Sequence, residues 1–178
     1  SNVTNMQMMF KGASAFNQPI GNWNTSDVRT MHSMFRYATA FDQNIGDWNT
    51  SKVRSMKGMF YAFHRATVFN KDIGRWNVSN VTNMSSMFYY CHKFNQDIGS
   101  WDVSKVTNMS RTFLGCFNFN QDLGGWDVSN VKNMSNMFYY CQAFNNNNNK
   151  LTWNISSVTI PTRINKLPIK NWYNYIFK

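Results

Sequence analysis

Phe69-Asn70-Lys71-Asp72-Ile73-Gly74-Arg75-Trp76-Asn77-Val78-Ser79 returns 25 positions later from Phe94, and again from Phe119. Counting each Phe that precedes an Asn or Asp as the start, units begin at Phe16, Phe41, Phe69, Phe94 and Phe119, and a decayed one begins at Phe144. Residues 1–15 are the back half of a preceding unit. A fixed period in the range of about 20 to 50 residues is the mark of a solenoid, in which a unit buries its apolar side only by stacking on its neighbours. The sequence therefore predicts an α/β solenoid over 1–158 of about six units, the first partial and the last decayed. Residues 159–178 are expected to form an aromatic C-terminal cap built on Pro161, Pro168, Trp172, Tyr173, Tyr175 and Phe177.

Two segments alternate within a unit. Trp-[Asn/Asp]-[Val/Thr]-Ser, at Trp23, Trp48, Trp76, Trp101 and Trp126, has apolar residues two apart and predicts a short parallel strand. Gly21, Gly46, Gly74, Gly99 and Gly124 stand two residues before each Trp, where a sharp turn into the strand is expected. Ser-x-Val-x-x-Met-x-x-Met-Phe, as over 79–88, spaces its apolar residues by three, three and one. That pattern predicts a short helix or 3-10 turn with the Ser as N-cap. The 28-residue second unit carries three extra residues, expected around Tyr61-Ala62-Phe63. Thr112 replaces the second Met in one unit, where a looser core is expected. The run Asn145 to Asn149 is expected to displace Trp153 by two positions.

Phe-Asn-x-Asp-Ile-Gly-x-Trp-[Asn/Asp]-Val-Ser-x-Val-x-Asn-Met-x-x-Met-Phe resembles the repeat of the BspA-like leucine-rich-repeat surface proteins, a mycoplasma-lipoprotein type of unit. The resemblance implies a leucine-rich-repeat-like right-handed coil, a place at the cell surface or in the secreted fraction, and binding of other molecules or cells. Similar arrays in large DNA viruses imply an alternative, an intracellular virus-encoded protein. The family offers no catalytic residues, so no enzyme activity, cofactor or metal is expected.

Chemistry-bearing residues mostly fall into repeat positions with a structural role. Cys91, Cys116 and Cys141 share one small-residue position with Ala13, Ala38 and Ala66, and lack zinc-site spacing; they read as buried thiols. Asp72, Asp97 and Asp122 share a position at which stacked carboxylates would bind calcium, but Pro19 and Asn44 stand there in other units, and a turn role suffices. His32, His64 and His92 fall at different positions and form no column. The nine Asn-x-Ser/Thr sequons follow from the repeat itself, the Asn side chains being expected to bond adjacent units.

What varies is polar. Asp27, Lys52, Asn80, Lys105 and Asn130 make one column; Arg29, Arg54, Thr82, Thr107 and Lys132 make the next, with His32, Lys57 and Arg111 nearby. With a net charge of +10 from 18 Lys and Arg against eight Asp and no Glu, these residues make a basic stripe. The candidate binding face is therefore Arg29, His32, Lys52, Arg54, Lys57, Lys105, Arg111 and Lys132. A protein or glycan partner is expected, with nucleic acid or another anionic polymer as the alternative. Self-association through the open N-terminal unit is a further one. No apolar run is long enough to span a membrane as a helix.

Overall fold

In the computed structural model the chain is described at residues 2–63 and 67–159. The cap expected over 159–178 lies outside these residues save for Thr159, as do His64 and Ala66. Each unit, of 25 residues save the one of 28, makes one circuit, and successive circuits join through parallel bridges at a single position: Asn5, Thr30, Ser55, Asn83, Asn108 and Asn133. The bridges fall on the residue before the first Met, while the Trp segments predicted as strands carry none. There, Asn24, Asn49, Asn77, Asp102 and Asp127 each accept the amide two residues on, at 3.0–3.1 Å. The side chain thus turns the backbone where a strand would have kept it extended.

The Met-Phe segment is not a helix. Met8, Ser33, Gly58, Ser86, Arg111 and Asn136 share one position and all have φ of 54 to 59°. Gly12, Tyr37, Tyr90, Gly115 and Tyr140 repeat this four residues later, with φ of 59 to 80°. A left-handed residue every four positions breaks a helix into turns. The hydrogen bonds consequently alternate. Met31, Ser33, Phe35 and Tyr37 donate to Ser55, Lys57, Met59 and Tyr61 of the next unit at 2.8–3.0 Å. Met34, Arg36 and Ala38 donate three residues back, at 3.0–3.2 Å. The Ser expected as N-cap instead donates its hydroxyl to the turn, as Ser51 does to Asn49 and Ser79 to Asn77, both at 2.7 Å.

The apolar frame lines the inside of the circuit. Phe10, Phe35, Phe60, Phe88, Phe113 and Phe138 form one ring column, 5.5–5.8 Å between neighbours. Phe16, Phe41, Phe69, Phe94, Phe119 and Phe144 form a second. Where one unit passes into the next, as from Phe35 to Phe41, the two rings lie only 3.9–4.3 Å apart. The Trp rings stack within 5° of parallel from Trp48 through Trp76 to Trp101, and from Trp126 to Trp153. Each indole N–H donates to the preceding unit, Trp76 to the Ile45 carbonyl and Trp126 to Ile98, both at 3.0 Å. A buried indole is thus satisfied without leaving the core.

A polar ladder runs outside this frame. The Asn95 side-chain oxygen accepts the Asn120 amide at 2.8 Å, and Asn120 accepts Asn145 at 2.9 Å. Asn17, Asp42 and Asn70 do the same for the units above them. The sequon Asn residues within the circuits, by contrast, mainly bond their own turns: Asn83 accepts Ser85 at 2.9 Å and Asn133 accepts Ser135 at 2.9 Å.

The glycines before Trp do not sit in the left-handed region. A Cβ on Gly74 would lie 2.7 Å from the Asp97 carbonyl oxygen, and one on Gly99 2.6 Å from that of Asp122. Close approach of the next unit therefore requires glycine here, not a sharp turn. The extra residues also move. The Ala62 amide still donates to Tyr89 as Tyr37 does to Tyr61, so 61 and 62 keep step, and Thr67 and Val68 align with Thr39 and Ala40. The insertion therefore lies within 63–66. Thr112 is buried and donates to the Met84 and Met109 carbonyls at 3.1 and 2.7 Å, a polar tie in place of a loose core. After the Asn run Trp153 regains its place, bonding the Leu123 carbonyl at 2.9 Å. Asn146 fills the gap, fully enclosed, its side chain bonding Leu123, Asp122 and Asn149.

Candidate functional site

The variable columns lie on the outside of the Met-Phe half of the circuit, and the structure divides them. Lys52 pairs with Asp27 at 2.6 Å, and Lys105 donates to Asn80 at 2.8 Å. Both are exposed and tie neighbouring units. Asp27 is held below the ordinary carboxylate range first by the Lys52 hydrogen bond and then by its charge. These two lysines are committed to the scaffold. Arg29 and Arg54 are stacked in successive units, the Arg54 amide donating to the Arg29 carbonyl at 2.9 Å, and both side chains are exposed. Lys132 belongs to the same column but stands three units beyond Arg54. Thr82 and Thr107 interrupt, turning their hydroxyls onto the Arg54 and Thr82 carbonyls at 3.2 Å.

His32 and Lys57 share one position, which Ser85, Ser110 and Ser135 occupy later. Arg111 stands one residue further on, at the left-handed position, and its charge reaches the Tyr89 phenol. Arg29, Arg54, His32 and Lys57 are thus brought together in two adjacent units, while Lys105, Arg111 and Lys132 are dispersed over the next.

Two cations outside the predicted set complete the dense end. Lys11 and Arg36 occupy equivalent positions in successive units, the Gly12 amide donating to the Arg36 carbonyl at 2.7 Å. Burial, then Lys57, Arg36 and Lys11 in that order, hold the His32 imidazole below its ordinary value. The Arg36 guanidinium carbon lies 4.4 Å from the Tyr61 ring centre and 5.1 Å from that of Tyr37. Tyr61 continues into Tyr89 at 4.4 Å and 15°, so Arg36, Tyr61 and Tyr89 form one pile through three units. Such cation–ring contacts fix an arginine that would otherwise be free. In sequence Tyr61 and Tyr89 directly follow Phe60 and Phe88, the signal by which an outer aromatic column is legible.

The remaining candidates resolve into structural roles. Cys91, Cys116 and Cys141 are free, fully buried thiols, donating to the Phe60, Phe88 and Phe113 carbonyls at 3.3, 2.9 and 2.6 Å. Burial pushes Cys91 to about 12. Asp72, Asp97 and Asp122 each accept the Gly amide two residues on, at 2.8–2.9 Å, closing a turn. Among the described residues no three His, Cys, Asp or Glu side chains gather as a metal site, and no helix is long and apolar enough to cross a membrane.

A family described as "Mycoplasma protein of unknown function, DUF285" matches the chain twice, over residues 1–65 and 61–167. No curated protein and no solved structure matches it.

Proposed function

The chain belongs to the DUF285 family of mycoplasma proteins of unknown function, and on that footing we propose that it is a non-catalytic scaffold that recognises a protein or glycan. Its fold is a right-handed solenoid of the BspA-like leucine-rich-repeat kind, held at a cell surface or secreted. The parallel bridges at one position of every circuit support the solenoid assignment. One observation carries the functional reading. An apolar frame nearly constant from unit to unit supports outer columns whose residues change, and Arg29, Arg54 and Lys57 stand exposed there, in none of the ion pairs among the described residues. The two threonine units break the column of cations, which disfavours the continuous charged track that a nucleic-acid backbone follows.

Peptide and glycan arrays probed with the chain, and with the Arg29→Glu, Arg54→Glu, Lys57→Glu triple variant, test this. Saturable binding lost in the variant is expected. Binding to neither array, or binding indifferent to the reversal, overturns it.

A further inference from the structure

Resting on the recognition reading above, we propose that Lys11, His32, Arg36 and Lys57, with the hydroxyls of Tyr37 and Tyr61, bind the sulfate or carboxylate groups of an acidic polysaccharide laid along the stack. The placement follows from the register of the units. Lys11 stands in one unit, His32, Arg36 and Tyr37 in the next, and Lys57 and Tyr61 in the third. Hydrogen-bonded chains lie about 4.8 Å apart, so the cations spread over roughly 10 Å along the axis. That arrangement suits a linear polyanion better than a single small ion.

Charge balance at the cluster points the same way. The ion pairs of the described residues join Lys52 to Asp27, Lys71 to Asp42 and Arg75 to Asp47. Lys11, Arg36 and Lys57 have no such partner, and like charges held in adjacent units repel until an anion separates them. Arg36 is also pre-set. Its guanidinium lies on Tyr61, donates to the Tyr37 hydroxyl at 3.4 Å, and has its Nε buried with no hydrogen-bond partner.

Glycan is favoured over nucleic acid by the ring faces. Bases bind single-strand proteins by stacking on exposed aromatic faces. Tyr61 offers none, since Arg36 covers one face and Tyr89 the other. The phenol hydroxyls remain, and these donate hydrogen bonds to anionic oxygens and sugar hydroxyls alike.

The repeat supplies variants that keep the fold. Ser stands at the His32 and Lys57 position in three later units, and Tyr stands at the Arg36 position in Tyr61, Tyr89 and Tyr139. The His32→Ser, Arg36→Tyr, Lys57→Ser variant is compared by calorimetry at fixed salt with a Lys93→Gln, Lys150→Gln control, which removes the same two full charges elsewhere. Probes are a sulfated glycosaminoglycan, a carboxylate-only glycosaminoglycan, a neutral dextran and oligothymidylate. The site variant is expected to lose at least tenfold in affinity for one of the two acidic glycans, and the control less than twofold. Which of them binds assigns sulfate or carboxylate as the recognised group. Equal losses in variant and control, or tighter binding of oligothymidylate, overturn the inference. Array binding restricted to peptides or neutral glycans overturns it too, while leaving the recognition reading intact. If the triple variant unfolds, Lys57→Ser alone, at an exposed side chain, is expected to lose about threefold, and no loss refutes the site.

Discussion

Gly99 and Gly124 occupy the same repeat position but face different neighbours, and alanine separates them. A Cβ on Gly99 would sit 2.6 Å from the Asp122 carbonyl oxygen, where ordinary contact begins at 3.4 Å. The next unit must therefore retreat by 3.4 − 2.6 = 0.8 Å, and the obstructing atom is backbone. That unit is tied by the Trp126 indole to Ile98 and by Asn146 to the Leu123 amide. Overpacking of this kind costs about 1–3 kcal/mol. Neither glycine is left-handed, so alanine recovers roughly 0.4–1 kcal/mol from a stiffer unfolded chain. The net for Gly99→Ala is about 1–2 kcal/mol of destabilisation. At roughly 2–4 °C per kcal/mol for a chain of this size, Tm falls by about 2–8 °C. Gly124 meets the displaced sixth unit, whose nearest backbone atom, the Lys150 oxygen, is 4.0 Å away. Its closest neighbour is the Asp122 side chain of its own turn at 3.1 Å, a contact that Gly99 also makes, with Asp97 at 3.3 Å. Gly124→Ala, which meets no backbone of the next unit, should change stability by less than about 0.5 kcal/mol, the usual range for a substitution away from tightly packed features. Thermal and urea unfolding of both variants by circular dichroism provides the comparison. Equal losses, or a neutral Gly99→Ala, would refute the close-approach explanation.

Asn95→Ala removes the acceptor of the Asn120 amide and the Gln121 side chain, and should cost about 1 kcal/mol in urea unfolding. Asn95→Asp, which copies Asp42, should keep most of it. The thiols of Cys91, Cys116 and Cys141 should resist a disulfide reagent at neutral pH and react only as fast as the chain opens, since burial holds Cys91 at about 12; rapid labelling of the folded chain would contradict their placement. His32 should titrate by NMR below the ordinary imidazole value of about 6.5, and Lys57→Ser should move its midpoint upward. A depressed folded-state value means that the unfolded chain takes the proton more readily. The His32 contribution to stability is therefore present above the unfolded value and declines as pH falls below it, levelling off beneath the folded-state value.

The period and the inward set were legible because each apolar residue recurs at 25-residue spacing: the Phe, Trp, Ile, Val and Met columns all close around one core. The local conformation was not. Spacings of three, three and one fit a helix as well as they fit a chain of turns, and the deciding evidence is the left-handed backbone at Ser33, Ser86 and Asn136. In sequence that position carries Met, Ser, Gly, Ser, Arg and Asn, and a single Gly58 gives little away. The glycine column suggested a bend because a clash with another unit's carbonyl has no sequence signature. At the candidate site, the basic residues were visible one by one. The commitment of Lys52 and Lys105 to Asp27 and Asn80, and the pile of Arg36 on Tyr61, depend on which residues the register places side by side.

The alternating hydrogen bonds of the Met-Phe segment have a bearing on inheritance. Every unit offers the same donors and acceptors to the unit above it, so gaining or losing a stretch of 75 nucleotides would leave each seam chemically unchanged. Length can drift by whole periods while the outer columns diversify. Departures from the period fall at 63–66 and within 145–152, in the arc between the second Met-Phe and the next Trp, outside the Met-Phe segment whose bonds alternate. One half of the circuit thus keeps count, and the other half tolerates mistakes in copying.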